Sequence, residues 1–328
     1  MAKHPLLSFF GRLLLGAGMA LPLPAAIASD TAIVLNSRDA SVSVVDLAAG
    51  REQRRIGVGK EPHHLYSSLD GRTLIVANAI SNDLHLLDPV TGEVRGRVRG
   101  IDDPYQIAFS PDRRWFVTAS LRLDRVDLYA PQGDEFRLVA RIPAPKAPSH
   151  VWFSADSRYV FVTLQESHEI AAIDLTERRI AWKMPIGQLP AGIIVTPDDR
   201  YLMVGVMGAD HVAVVDWRKR EVVKRIATGK GAHNFRGLGD GRHVFVSNRV
   251  GNTISKIDMK TLSIVDTMEV PGGPDCMEVT ADGSRLLVTT RWAKQLRVID
   301  LAKRKIVASI PVGRSPHGVF THRRAPPL

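Results

Sequence analysis

The sequence predicts an all-β protein, a seven-bladed β-propeller of four-stranded blades whose last blade is closed by N-terminal strands plus the C-terminal strand. Three markers in one register carry this expectation. Prolines stand at Pro62, Pro104, Pro148, Pro190, Pro274 and Pro316, spaced 42, 44, 42, 84 and 42 residues apart, with Ala232 in the middle of the double gap. A turn aspartate follows eight residues after a marker, at Asp70, Asp112, Asp156, Asp198, Asp240 and Asp282. An apolar residue followed by Asp closes a later strand at Asp46, Asp88, Asp174, Asp216, Asp258 and Asp300, and Ala130 takes the remaining slot. A repeat of this length with four short strands per unit is the sequence mark of a propeller blade.

The elements follow in chain order. Residues 1–28 read as a secretory signal peptide: Lys3 and Arg12 bring positive charge, Leu13 to Leu23 is apolar, and Ala26-Ile27-Ala28 offers the small-x-small cleavage pattern. Eleven apolar residues are too few to span a bilayer. The mature protein is therefore expected in the periplasm, monomeric, with no membrane span. The only cysteine, Cys276, is too far from the leader for a lipoprotein and excludes a disulfide framework.

The propeller domain is expected over residues 29–322. Ala32–Asn36, Ser41–Asp46 and Glu52–Ile56 give three strands without a first one. Six complete units run from Gly59 to Val312, and they are numbered as blades one to six from Pro62 onward. Ser315–Thr321 then supplies the first strand that the opening segment lacks, which makes blade seven and removes the exposed edges of an open ring. Within the units, runs such as Leu74–Asn78, Phe116–Ala119, Val160–Leu164 and Val244–Asn248 have β composition, and Asp-Gly pairs at 70–71, 240–241 and 282–283 mark hairpins. No stretch of the mature chain keeps a helical period for three turns. Residues 323–328 are a short C-terminal tail, and His322-Arg323-Arg324 is expected to fray.

Composition fits an ordinary globular chain: 45% hydrophobic and 24% charged residues, with 44 Lys and Arg against 34 Asp and Glu. One cysteine excludes any Cys-rich zinc or iron–sulfur site. Neither a serine nucleophile elbow nor a phosphate-binding glycine loop is present. Basic residues such as Arg54, Arg55, Arg178, Arg179, Lys303 and Arg304 fall at outer strands and turns, where charge blunts strand pairing.

The repeats resemble the YVTN, or YncE-like, family of exported seven-bladed propellers over essentially all of 32–322. The resemblance rests on the Pro-x-x-apolar-x-apolar-Ser/Thr-Pro/Ala-Asp-Gly lead, as at Pro104–Arg113 and Pro274–Gly283, and on the Val-x-Asn strand end at Val76–Asn78 and Val246–Asn248. It implies the fold closely and the activity loosely, because propellers host unrelated functions. Some periplasmic relatives assist maturation of the tetrapyrrole haem d1, others are suggested to bind single-stranded DNA, and lactone hydrolases and antibiotic lyases also use propellers.

Residues repeated in most blades serve the scaffold, so the turn and strand-end aspartates are read as structural. Function is sought where the blades differ. The two residues after each marker should ring the mouth of the central channel: His63-His64, Tyr105-Gln106, Ser149-His150, Ala191-Gly192, His233-Asn234, Asp275-Cys276 and His317-Gly318. Five of the chain's 11 histidines fall in these slots, where random placement would put about half of one. Loops between second and third strands add Arg38, Arg122, His168, Arg249, Arg291 and Trp292 to the same face. Blades five, six, seven and one hold most of this chemistry, and Gly229-Lys230-Gly231-Ala232 departs from the proline lead just before His233.

This pattern suits a binding or accessory protein for a transition metal, a haem-type tetrapyrrole or an anionic small molecule, or a site that docks a partner protein. Candidate ligand contacts are His63, His64, His150, His233, Asn234, His317, Arg38, Arg249, Arg291 and Trp292. Candidate metal ligands are His64, His150, His233, Cys276 and His317. Alternation along a strand implies that one of His63 and His64 faces a neighbouring blade. The alternative class is a lactonase-like hydrolase or lyase with His317 or His233 as general base and Arg249 or Arg291 stabilising an oxyanion. A calcium-type lactonase is disfavoured because Asp275 is the only carboxylate in the slots. An interaction scaffold and a single-stranded DNA binder are further alternatives. Nucleic acid is the weakest, since only Trp292 and Tyr105 are placed to stack bases.

Overall fold

The structure is a computed structural model that describes residues 1–2 and 30–328. The proposed leader therefore lies almost wholly outside the described residues. Among the described residues, 28 strands form seven four-stranded antiparallel sheets. The inner strands are Pro62–Ser67, Gln106–Phe109, Pro148–Phe153, Pro190–Val195, Ala232–Gly237, Pro274–Val279 and Pro316–Thr321. The last of these pairs with Thr31–Asn36, placing Phe320 opposite Ile33 and Val319 opposite Val34, so blade seven joins both ends of the chain. Seven blades are observed. No helix among the described residues is long and apolar enough to cross a membrane.

Apolar residues of adjacent blades meet face to face and make the core. Between blades three and four, Phe161, Ile193, Leu202, Val204 and Trp217 form one such buried layer. Each fully buried side chain of this size contributes roughly 1.5–3 kcal/mol. The outer strands alternate exposed and half-buried residues, as in Arg51–Gly57 and Lys305–Pro311, because only one face of an edge strand meets a neighbour.

The repeated aspartates are scaffold. Asp70 accepts from Ser68 Oγ at 2.6 Å and from the Arg72 N–H at 3.0 Å, and the same Ser/Thr-Asp turn recurs at Asp112, Asp156, Asp198 and Asp282. Asp46, Asp88, Asp174 and Asp258 each accept from backbone N–H groups two and three residues on.

Two local features position the site. The residue before each marker has left-handed backbone: Glu61, Asp103, Ala147, Leu189, Gly231, Gly273 and Ser315 all have φ between 44° and 77°. A register shift follows at the start of the inner strand, for example between Pro62 and His64 and between Pro274 and Met277. Such a bulge breaks the strict alternation of side chains.

Arg323 and Arg324, expected to fray with His322, are instead tied to blade six, where the Ala281 N–H donates to the Arg323 carbonyl at 3.2 Å, and the residues after them are docked too. Arg324 bridges to Thr280, Ala325 N–H donates to Val279 at 3.0 Å, and Gly237 N–H donates to Pro327 at 3.1 Å. The guanidinium of Arg236 donates to the carbonyls of Ala325 and Pro326 at 2.7 Å and of Pro327 at 3.1 Å. One buried cation thus satisfies three carbonyls that would otherwise hold the tail in water.

Candidate functional site

The bulged inner strands aim their first residues at the propeller axis, where imidazoles pack against one another at tilted and edge-to-face angles. Ring centroids lie 3.7 Å apart for His63 and His317, 3.9 Å for His63 and Tyr105, 4.8 Å for His64 and His317, 5.3 Å for His64 and His150, and 5.5 Å for His150 and His233. The five histidines are between 0% and 7% exposed. They gather at the axis as the sequence expectation has it, and there they are packed together and buried.

His63 and His64 both belong to this cluster. The bulge after Pro62 interrupts the two-residue alternation, so both rings reach the axis while His63 also packs on Tyr105 of the neighbouring blade two at 3.9 Å.

Asp275 is the anionic centre, fully buried. Arg249 Nη2 donates to Asp275 Oδ1 at 2.8 Å and to His233 Nε2 at 2.6 Å, and Arg291 Nη1 donates to Asp275 Oδ2 at 3.3 Å. Arg249 Nη2 also lies 3.2 Å from His233 Nδ1, and that nitrogen is 3.3 Å from Asp275 Oδ1. Burial opposes ionisation of Asp275, yet Arg249 and its cationic neighbours hold the carboxyl well below the usual carboxylate range. Burial in turn drives His63, His150, His233 and His317 well below the ordinary imidazole range and takes His64 down to about 4. The cluster at neutral pH is therefore five neutral imidazoles around one ionised carboxylate.

Neutral imidazoles leave lone pairs to be satisfied. His317 Nδ1 donates to the His63 carbonyl at 2.7 Å, so its Nε2 carries the lone pair, 3.6 Å from Asp275 Oδ1 with no proton between them. His63 Nδ1, His64 Nε2, His150 Nε2 and His317 Nε2 are all buried without a hydrogen-bond partner. Nitrogens of His63, His64 and His317 lie within 4.8 Å of one another, and one donor atom each from Asp275, Cys276 and His317 makes a second set of the same span. Donors around a tetrahedral zinc with bonds of about 2.0 Å lie roughly 3.3 Å apart, so small side-chain rotations bring either set to bonding distance. Cys276 remains a thiol, pushed up by burial and by Asp275, with Asn234 Nδ2 donating to its sulfur at 3.1 Å.

The family model for the YNCE-like beta-propeller matches residues 15–327. The chain belongs to this family. No curated protein matches the sequence. Among solved structures, this YNCE-like propeller is similar to a functionally unknown protein from Desulfotomaculum acetoxidans DSM 771, with a TM-score of 0.76 and 14% identity over 89% of this chain and 99% of that one. It is also similar to the dihydro-heme d1 dehydrogenase NirN in complex with DHE, with a TM-score of 0.66 and 18% identity over 91% of this chain and 76% of that one. Hydrazine synthase from Kuenenia stuttgartiensis has the same TM-score, 0.66, at 18% identity over 79% of this chain and 92% of that one. At these identities the likeness is one of fold.

Within the YNCE-like fold, the structure brings together His63, His64, His150, His233, Asn234, Asp275, Cys276, His317, Arg249, Arg291 and Tyr105. Arg38 and Trp292 stay outside. Arg38 is exposed on the rim, and Trp292, 54% exposed, rides over the backbone of Gly273. His233 and His317, the candidate general bases, are sealed from solvent.

The sequence reading missed Arg236 and Glu278, an ion pair at 2.6 Å on the inner strands of blades five and six. Both sit four residues after their marker position, a slot filled elsewhere by Tyr66, Ala108, Trp152, Ile194 and Phe320. Opposite charges in adjacent blades at that otherwise uncharged slot were the available signal.

Proposed function

We propose that the chain is a periplasmic binding or accessory protein that holds a transition-metal centre in its channel, either as an ion or as the metal of a haem-type tetrapyrrole. In this reading residues 1–28 are the leader, 29–322 the propeller domain and 323–328 the tail. The observation that carries it is the set of four buried imidazole nitrogens without partners on one axis. A buried polar atom left unpaired costs about 1–3 kcal/mol, and four in one cluster mark a place that a ligand completes. His63, His64 and His317 would hold the metal, with Asp275 and Cys276 alongside; bound there, it would supply Lewis-acid or redox chemistry. Arg249 and Arg291 share the single charge of Asp275, which leaves positive charge for an anionic edge of the ligand. The similarity in fold to the dihydro-heme d1 dehydrogenase NirN supports the tetrapyrrole form of this reading.

The test is calorimetric titration of chelator-treated full-length protein with Zn²⁺ and Cu²⁺, beside an absorption titration with haemin. One equivalent of one of these is expected to bind. Substituting both His63→Ala and His317→Ala should weaken it at least about a hundredfold, as loss of two ligands implies, with unchanged circular dichroism. Failure of all three probes to bind the wild-type protein would overturn the proposal.

A further inference from the structure

Below the histidine plug the channel widens into a cavity of about 780 Å³ that opens on the face opposite the one where the site was expected. His64 and Cys276 form its ceiling, the first hairpin turns at 67–71 and 110–113 border its mouth, and Pro327 of the docked tail closes one side. Its walls carry Phe109, Trp152, Phe153, Phe235 and Phe320, a concentration of flat apolar surface in a chain with only 6% aromatic residues. A volume of this order is that of a small-molecule site.

The charge lining the cavity is uneven. Arg113, Arg236 and Arg324 face Asp70 and Glu278. Glu278 Oε1 is taken by Arg236 at 2.6 Å, so Arg324 is left with a 4.0 Å approach to Oε2 and a position 4.5 Å above the ring of Phe320. Among the described residues the side chains of Arg324 and Arg113 make no hydrogen bond. Burial disfavours the charge of Arg324, and the attraction of Glu278 does not make up for it. Two guanidiniums with free donors at the mouth of an aromatic cavity form a recognition pattern for one class of molecule.

We propose that this cavity binds a planar aromatic anion, its rings among Trp152 and the phenylalanines and its carboxylate or sulfonate on Arg324 and Arg113. The site adjoins the imidazole cluster, whose His64 and Cys276 form its ceiling, but its ligand contacts are Trp152, the phenylalanines, Arg113 and Arg324, and it stands whether or not the cluster holds a metal.

The test uses the chelator-treated full chain with two fluorescent probes, anionic 8-anilinonaphthalene-1-sulfonate and neutral N-phenyl-1-naphthylamine. The anion should bind saturably, one per chain, with emission sensitised by tryptophan. Most of that sensitised emission should vanish in Trp152→Phe. Replacing Arg113→Gln and Arg324→Gln together should weaken the anion about tenfold or more, as loss of charge-assisted hydrogen bonds implies, and the neutral probe less than twofold. Unchanged circular dichroism and an unchanged urea midpoint in the same variant show that the fold is intact. Absence of saturable binding, equal weakening of both probes, or sensitised emission unchanged in Trp152→Phe would each overturn the assignment.

Discussion

Acidification should unfold this propeller far earlier than carboxylate chemistry alone would. His63, His64, His150, His233 and His317 are buried and neutral, with folded-state pKa values below the ordinary 6.5 and about 4 for His64. The unfolded chain then binds more protons than the native one, so stability rises with pH. It is fully present above 6.5 and is lost as pH falls from there toward the folded-state values. Each such imidazole removes on the order of 1 kcal/mol by pH 5.5, so the five together remove several, against a total stability of roughly 5–15 kcal/mol for a folded domain. Burial raises the pKa values of Asp103, Asp127 and Glu278, which act in the opposite sense, but their window opens only upward from 3.8 to 4.5. The assay is the urea midpoint of chelator-treated protein, followed by tryptophan fluorescence between pH 8 and 5. The midpoint should drop steeply below pH 6.5, and His63→Phe with His150→Phe should remove about two-fifths of the drop. A midpoint that stays level from pH 7.5 to 5.5 would refute the argument, because it would mean that the native imidazoles take up protons as freely as unfolded ones.

Three further outcomes are expected. Arg249→Met leaves Asp275 buried beside a more distant guanidinium and should cost about 3–5 kcal/mol, while adding Asp275→Asn should restore most of it; a neutral single variant in urea unfolding would show that the pair is hydrated. Gly192→Ala places a Cβ 2.4 Å from the carbonyl oxygen of His233 and should destabilise by about 1–3 kcal/mol, whereas Gly57→Ala meets nothing within 4 Å and should not, as thermal melts would show. Arg236→Met removes the donor that holds Ala325, Pro326 and Pro327, so carboxypeptidase should trim the tail at least about tenfold faster than in wild type.

The blades were legible because each repeat must solve the same local problem. Asp70 and its counterparts mark turns at fixed offsets, and Pro62 and its counterparts mark strand starts, so seven copies reinforce one register. The enrichment of histidine after the markers was legible for the complementary reason, since no scaffold role asks for His63, His64 or His317. What stayed hidden was set by backbone register and by distance in space. The bulge after Pro62 has no residue signature of its own, so both imidazoles of an adjacent pair turning to one axis could not be read. Burial of the cluster follows from seven strands meeting, a property of the ring rather than of any blade. The tail was misjudged because Arg236, 89 residues before Ala325, supplies the bonds that hold it.

The clasp of blade seven also fixes when the histidine cluster can exist. His317 lies on the last inner strand, which pairs with residues at the opposite end of the chain, and it touches both His63 and Cys276. Until that strand is in place and the ring has shut, His63 lacks its nearest imidazole partner and Asp275 has no His317 beside it. An open ring therefore holds these side chains only loosely, and the complete cluster arises in the same cooperative event that buries it. Ring closure is thus the step that assembles the cluster, because its last imidazole arrives with the strand that clasps blade seven.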